Sequence, residues 1–245
     1  MDVDVASAAG LFADRTRADV VAALLDGRAL TAGELARAAD VSAQTVSAHL
    51  RRLLDAGLVA VEAQGRHRYY RLADERAGRA FEALAVLAPE RPVRSLRQSR
   101  IAADLRLART CYDHLAGAVA VALTETLTDR ALLLEDHGSY RLQPQGKELL
   151  GGLGLDLDTL ERTRRSFAHP CLDWSERRHH VAGALGAGLL ARMVDLGWVS
   201  RQPASRAVRL HDVGRQGLSE VFGCEVSTEV EGFGAARMPG AAKSA

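Results

Sequence analysis

The sequence predicts a mainly α-helical fold with small β-hairpins, of the α+β class, divided into two domains. Two observations support this prediction. Apolar residues recur at helical spacing in several segments that begin at a capping residue or end at a glycine. Between such segments lie short stretches in which apolar and polar residues alternate around a glycine turn, as they do in β-hairpins.

The first two helices are predicted within residues 11–40. Residues 11–26 place four apolar side chains at helical spacing, and Gly27 ends that helix. Thr31 and Glu34 have the spacing of a capping box, in which each residue satisfies a free backbone donor of the other. The sequence therefore predicts a long helix followed by a short one.

A third helix and a hairpin complete this first unit. Ser42 is a typical N-cap residue, and Gly57 ends the helix that follows it. The apolar face of this helix consists of Val46, Leu50, Leu53 and Leu54. Residues 58–63 and 67–72 then alternate on either side of Gly65, which predicts two antiparallel strands. Helix, short helix, capped helix and hairpin in this order predict a winged helix-turn-helix.

Three signatures in this order resemble the ArsR/SmtB-type bacterial repressors. LFADRTRADVVAALLDG resembles their opening helix, SAQTVSAHLRRLLDAGLV their recognition helix, and GRHRYYRL their wing. The resemblance covers residues 8–88, and we assign residues 1–88 to a DNA-binding and dimerisation domain. It implies a homodimeric repressor on an inverted-repeat operator in double-stranded DNA. It also implies that the helix over residues 74–88 forms the dimer interface with the first helix.

The recognition helix and the wing carry side chains suited to DNA. Short polar groups near the N-terminal end of the recognition helix can reach base edges in the major groove, and Gln44 can pair with adenine. Arginines at the wing tip can contact phosphates or the minor groove. The predicted DNA-binding residues are Thr31, Ser42, Gln44, Thr45, Ser47, His49, Arg52, Arg66, His67 and Arg68.

Composition limits the other possibilities. No apolar run is long enough to span a bilayer, and the N-terminus lacks the basic region of a secretory signal. The three cysteines are too few and too widely spaced for a secreted disulfide framework. We therefore expect a cytoplasmic protein with no membrane partner. A formal net charge of +1 means that DNA binding depends on the local placement of charge.

The rest of the chain is predicted to form a second, regulatory domain. Prolines and arginines over residues 89–103 indicate a linker, and residues 104–129 have the pattern of one long helix. Segments 131–154 and 190–223 repeat the hairpin-and-helix pattern of the first domain, which indicates degenerate winged-helix modules over residues 104–223. Residues 224–245 lack periodicity, and we expect a disordered tail.

An effector site is expected in this second domain, because the metal-ligand patterns of the ArsR/SmtB-type repressors are missing from the first. Cys111 and His114 are three residues apart, a spacing that places both on one face of a helix. His169 and Cys171 could complete a set for zinc or a thiophilic metal, with His179 or His180 as further ligands.

Three other interpretations remain open. Cys111 and Cys171 could form a thiol switch. An organic ligand could bind Tyr112, Trp174, Arg177 and Arg178, an aromatic-and-arginine set suited to anions. In the structural interpretation, Asp173 or Ser175 caps the following helix, and Asp173 or Glu176 pairs with Arg177 or Arg178.

A cysteine-dependent enzyme is a rival class, but the phosphate-binding loop, nucleophile elbow and HExxH motifs are missing. We predict a regulator without catalytic activity.

Overall fold

The computed structural model describes residues 3–89, 95–202 and 205–226. Helices alternate with short antiparallel hairpins throughout these ranges, which confirms the predicted fold class. The disordered tail predicted from residue 224 onwards lies mostly outside the described residues. Within the three ranges, no helix is long and apolar enough to cross a membrane.

The N-terminal domain is a winged helix-turn-helix, as predicted. Its elements are α1 (Val5–Phe12), α2 (Arg15–Leu24), β1 (Leu30–Thr31), α3 (Ala32–Ala38), α4 (Ala43–Asp55), β2 (Val59–Gln64), β3 (His67–Leu72) and α5 (Glu75–Leu87). The strands form one antiparallel sheet in the order β1-β3-β2. Gln64 pairs with His67, so Gly65 and Arg66 form the two-residue turn at the wing tip, with Gly65 at a φ of +58°.

Local capping sets the position of the recognition helix. Thr31 accepts a hydrogen bond from the Glu34 backbone at 3.3 Å, and Glu34 accepts one from the Thr31 backbone at 2.8 Å, which completes the predicted capping box of α3. Ser42 accepts a hydrogen bond from the Thr45 backbone at 3.1 Å and so begins α4. The inner face of α4 buries Val46, Leu50 and Leu53. Its outer face is thereby fixed towards solvent.

The prediction of one long helix over residues 104–129 is wrong. Three elements occupy this stretch. Helix α6 (Leu96–Leu107) ends at Leu107, and a hairpin of β4 (Arg109–Cys111) and β5 (His114–Ala116) follows it. Helix α7 (Ala118–Asp129) begins only after Gly117. The break is steric, since Gly117 has a φ of +89° and a Cβ there would lie 2.6 Å from the Arg106 carbonyl oxygen. The predicted linker is also partly wrong, because residues 96–103 are helical; residues 90–94 lie outside the described residues.

The C-terminal domain contains the same order of elements twice. After the hairpin β4–β5 and α7 come β6 (Leu133–Asp136), β7 (Ser139–Leu142), α8 (Pro144–Gly152) and the short α9 (Leu157–Glu161). The second series is β8 (His169–Leu172), β9 (His179–Ala182), α10 (Gly183–Asp195), β10 (Val199–Arg201), β11 (Val208–Leu210) and α11 (Asp212–Gly217), which continues as a π-helical turn over Leu218–Phe222.

The two predicted helix–hairpin–helix units are thus present, as α7–β6–β7–α8 and α10–β10–β11–α11. Each unit is preceded by a hairpin that the sequence did not predict. The two series are interlocked through these hairpins. The Tyr140 N–H on β7 donates to the Ala168 carbonyl beside β8, and the Thr110 N–H on β4 donates to the Arg206 carbonyl beside β11, both at 2.9 Å.

The structural interpretation of residues 169–180 is also wrong in two respects. Asp173 and Ser175 lie in the turn between β8 and β9, and α10 begins after Ala182 without a side-chain cap. Asp173 pairs with Arg109, and Arg178 pairs with Glu125 at 2.8 Å. The segment therefore forms a hairpin whose turn is bound by distant residues.

Candidate functional site

The outer face of α4 presents the predicted base-reading side chains. Ser42, Gln44, Thr45 and Ser47 are exposed, as is Arg52 further along the helix. Some of their hydrogen-bonding capacity is used internally. The Ser42 and Thr45 hydroxyl oxygens lie 2.8 Å apart, and the Ser47 hydroxyl donates to the Ala43 carbonyl. Gln44 is therefore the side chain of this set best placed to pair with a base edge.

The wing tip is fully exposed and carries positive charge. Arg66, His67 and Arg68 all face solvent on the turn and first residues of β3. Two other predicted contacts are less favourably placed. The Thr31 hydroxyl is bonded to the Glu34 carboxylate at 2.8 Å, which places a negative charge beside any phosphate there. His49 is half-buried, with its Nδ1 3.5 Å from Asp14.

A second cluster lies in the C-terminal domain. Cys111, His114, Cys171 and His180 each place one ligand atom within 4.8 Å of the others. Cys111, His114 and His180 are buried, and Cys171 is half-buried. The structure thus brings together three of the four predicted metal ligands, with His180, one of the two further candidates, in place of His169.

The strand register produces this cluster. Cys111 lies directly opposite His114 in the β4–β5 hairpin, and Cys171 lies directly opposite His180 in the β8–β9 hairpin. Each hairpin therefore contributes one thiol and one imidazole. The expected placement of Cys111 and His114 on one helical face is wrong, but the cross-strand pairing keeps the two side chains adjacent for a different reason.

Both imidazoles have a carboxylate behind them. The Nε2 atoms of His114 and His180 lie 3.2 Å apart at the centre of the cluster. His114 Nδ1 is hydrogen-bonded to Asp113 at 3.3 Å. His180 Nδ1 lies 3.4 Å from Asp173, a charge contact whose angle is too poor for a hydrogen bond. Such carboxylates orient imidazoles in metal sites.

The protonation of the cluster reflects its burial. The hydrogen bond to Cys171, together with burial, raises the pKa of the Cys111 thiol to about 12. Burial lowers the pKa of His114, but the hydrogen bond to Asp113 and the contact with Cys111 outweigh it and raise this pKa to about 9. Burial lowers the pKa of His169, and the nearby charge of His114 adds to that effect.

Arg109 contacts three residues of the β8–β9 turn, Asp173, Trp174 and Ser175. Its guanidinium is fully buried and lies 2.9 Å from the equally buried Asp173 carboxylate. It also donates to the Ser175 hydroxyl at 3.1 Å and lies 4.4 Å from the centre of the Trp174 ring. Burial would raise the pKa of the Asp173 carboxyl, but the charge of Arg109 and the Gly117 N–H hold it well below its usual range.

The residues predicted for an organic anion have separate surroundings. Trp174 stacks on Arg109, while Arg177 and Arg178 are exposed and Arg178 pairs with Glu125. Tyr112 packs against the core of the N-terminal domain. These four side chains are not gathered around one ligand.

One face of α5 carries part of the contact between the domains. Tyr112 packs against α5 at Gly78, where a Cβ would lie 3.7 Å from Tyr112 Cδ2, in ordinary van der Waals contact. Arg165, which holds Asp113, lies 3.7 Å from Glu75, and Arg206 pairs with the buried Glu82. Residues 75, 78 and 82 lie on one helical face. The β4–β5 turn and its neighbours thus press on a single side of α5.

Comparison with known proteins gives the following matches. A family model described as a helix-turn-helix domain matches residues 12–62. YdfF of Bacillus subtilis (strain 168), described as an uncharacterized HTH-type transcriptional regulator, is 43% identical over 215 residues, which are 88% of this chain and 95% of that protein. This match is too long to be confined to the N-terminal domain.

Two solved structures each match about a third of the chain. The winged helix-turn-helix domain of Mb0332 from Mycobacterium bovis, a possible ArsR-family regulator, is 30% identical, with a TM-score of 0.31, and the match covers 34% of this chain and 76% of that one. NolR from Sinorhizobium fredii is 22% identical, with a TM-score of 0.32, over 34% of this chain and 82% of that one. YdfF and the family model are therefore the informative matches.

Proposed function

This chain belongs to the helix-turn-helix transcription regulators represented by YdfF, which makes it a DNA-binding protein, and we propose that it is a dimeric repressor controlled through its C-terminal domain. A regulator of this kind agrees with the prediction that the chain is not an enzyme. Three features follow from this proposal: operator contacts, a homodimer and control by an effector.

The first feature is operator recognition by α4 and the wing. Exposed Ser42, Gln44, Thr45 and Ser47 enter the major groove, where Gln44 pairs with an adenine. Arg66 and Arg68 contact the sugar-phosphate backbone or the minor groove beside it. Affinity then depends strongly on salt, because each neutralised phosphate releases counterions.

The second feature is a homodimer on an inverted repeat. A single winged helix buries too little DNA for tight specific binding, and two are needed to read two half-sites. Helices α1 and α5 meet through Phe12 and Phe81, whose ring centres are 6.1 Å apart. On the same two helices, Val5 and Leu87 are 66% and 82% exposed, and we propose that a second copy covers these apolar side chains.

The third feature is control from the C-terminal domain, and the contact of the β4–β5 turn with α5 is the observation that carries it. Tyr112 enters the N-terminal core opposite Gly78, while Arg165 and Arg206 hold the two ends of the same helical face. A shift of this hairpin therefore moves α5, whose other side supports the dimer. The spacing of the two recognition helices changes with it, and operator half-sites about one helical turn apart tolerate little change.

A footprint of the full-length protein on DNA upstream of its own gene tests the proposal. We expect protection of an inverted repeat and a dimer by native mass spectrometry. Gln44→Ala should lower affinity for the operator by about 1–3 kcal/mol and relax specificity at one base pair. Arg68→Ala should weaken binding to all DNA sequences alike. It should also reduce the slope of log affinity against log salt concentration by about one.

Arg209→Ala is the matched control, since this arginine is exposed on a hairpin strand of the C-terminal domain. Its operator affinity should equal that of the wild type. Unaltered operator binding by both Gln44→Ala and Arg68→Ala would show that α4 and the wing do not contact DNA. A monomer that protects a single half-site would contradict the dimer.

A further inference from the structure

We propose that Cys111, His114, Cys171 and His180 form a tetrahedral site for a thiophilic divalent metal ion of the zinc type. We further propose that this ion is the effector of the regulator. The second statement rests on the proposed function, whereas the first is independent of it.

The spacing of like atoms fits a tetrahedral ion. With Zn–S and Zn–N bonds of about 2.3 and 2.0–2.1 Å, tetrahedral angles place two sulfurs about 3.8 Å apart and two nitrogens about 3.3 Å apart. The Sγ atoms of Cys111 and Cys171 are 3.9 Å apart, and the two Nε2 atoms of His114 and His180 are 3.2 Å apart. Two independent distances therefore agree with one central ion to within about 0.2 Å.

The carboxylates behind the imidazoles fix which nitrogen faces the centre. A carboxylate near Nδ1 favours the tautomer with its proton on Nδ1, which leaves a lone pair on Nε2. Asp113 has this position behind His114, and Asp173 has it behind His180. Each Nε2 atom can then serve as a metal ligand. Without the ion, the 3.2 Å between the two Nε2 atoms is a hydrogen-bond distance, and an ion between them replaces the bridging proton.

The surrounding charges are already balanced without the ion. Arg165 pairs with Asp113, and the fully buried Arg109 pairs with Asp173, so each carboxylate has its own guanidinium. A divalent ion with two thiolates and two neutral imidazoles adds no net charge. The site can therefore bind such an ion in a buried position without leaving an uncompensated charge.

The ligand set selects the class of ion. Sulfur and imidazole ligands favour zinc and softer thiophilic metals, whereas magnesium, calcium and manganese prefer oxygen ligands. A disulfide between Cys111 and Cys171 is the competing use of the thiols. It would use neither His114 nor His180, whereas the geometry of all four residues favours the ion.

Anaerobic titration of the reduced, metal-free full-length protein tests the site. We expect one Zn²⁺ per chain, and with Co²⁺ the absorption bands of a tetrahedral ion with thiolate ligands. Mg²⁺ and Mn²⁺ should not compete at concentrations equal to that of zinc. Absence of stoichiometric Zn²⁺ binding, or a Co²⁺ spectrum without thiolate bands, would overturn the proposal. So would a Cys111–Cys171 disulfide in a protein whose reduced form binds no metal.

Variants locate the site. Cys171→Ser and His180→Gln should lose stoichiometric binding, whereas His169→Gln and Cys224→Ser should keep it. His169 lies two residues from Cys171 on β8 but outside the cluster, and Cys224 is a buried cysteine elsewhere in the same domain. Far-UV circular dichroism of each variant establishes that it is folded. Retained binding in His180→Gln, or lost binding in a folded His169→Gln, would refute this set of ligands.

The effector role has a separate readout. Operator affinity, measured with and without Zn²⁺, should differ by a factor within about 5–150, the usual range for coupled sites. His180→Gln should abolish that difference while it retains operator binding. A protein that binds both operator and Zn²⁺ with no coupling refutes only the effector role. Failure to bind the operator in either form refutes the proposed function, and the metal titration stands by itself.

Discussion

Asp173→Asn is expected to destabilise the protein severely, because it removes the only opposite charge that contacts the buried Arg109 guanidinium among the described residues. Both side chains are 0% exposed, so water does not screen the loss. Asp173 also accepts hydrogen bonds from the Gly117 N–H at 2.7 Å and the Ser175 N–H at 2.9 Å. The amide group of asparagine can preserve only part of this set.

Removal of one partner from a buried ion pair costs about 3–5 kcal/mol, because the remaining charge stays buried without compensation. Urea denaturation of the metal-free protein in a chelating buffer measures this loss. With a slope of about 2 kcal/mol per molar urea, the midpoint should fall by about 1.5–2.5 M. The chelator keeps metal affinity out of the comparison, since Asp173 also faces His180.

The exposed pair of Lys147 and Glu161 is the matched control. Its atoms are closer, at 2.6 Å, but its side chains are 50% and 41% exposed. Glu161→Gln should therefore cost less than about 1 kcal/mol. In a double-mutant cycle, Asp173→Asn combined with Arg109→Leu should cost less than the sum of the single changes. A cost below about 1 kcal/mol for Asp173→Asn alone would refute the argument from burial.

Three further changes probe the coupling, the packing and the metal site. Tyr112→Ala should still bind one Zn²⁺, yet reduce the effect of Zn²⁺ on operator affinity to less than about twofold; Leu134→Ala, on an exposed hairpin, should leave that effect intact. Gly186→Ala should destabilise the domain and weaken Zn²⁺ binding, because its Cβ would lie 2.4 Å from the Val181 carbonyl oxygen and 3.1 Å from His114 Cβ. Gly151→Ala, in open space on α8, should instead stabilise the protein by about 0.5–1 kcal/mol in the same urea assay. If Gly186→Ala proved the more stable of the two variants, the packing around Gly186 would be contradicted. Asp113→Asn should lower Zn²⁺ affinity about 10–100-fold in a competition titration, and unchanged affinity would show that the carboxylate does not orient His114.

The N-terminal domain was predictable because its signals are local. The capping box of Thr31 and Glu34, the Ser42 cap and the turn at Gly65 each specify structure within a few residues. The β4–β5 hairpin was not predictable in this way. Its strands have three residues each and are buried on both faces, so they lack the alternation that distinguishes a strand from a helix.

The metal ligands could be predicted by type but not by position. Choosing His180 over His169 requires the register of β8 and β9, which places His180 directly opposite Cys171. One signal in the sequence could have identified His180 without the register. The pattern histidine, any residue, Ala-Gly-Ala occurs at residues 114–118 and again at 180–184. Matching the two segments makes His180 the counterpart of His114, and both glycines then precede helices.

The division of the four ligands between two hairpins makes the C-terminal domain a tethered pair of chelators. Each hairpin alone is a bidentate ligand, and the chain that links Cys111 to Cys171, 60 positions apart, supplies the effective concentration that joins them. Cleavage within the exposed segment 162–164 would remove that advantage. The fraction of the two fragments joined through the ion would then depend on their concentration. A competing chelator that removes the ion would separate them.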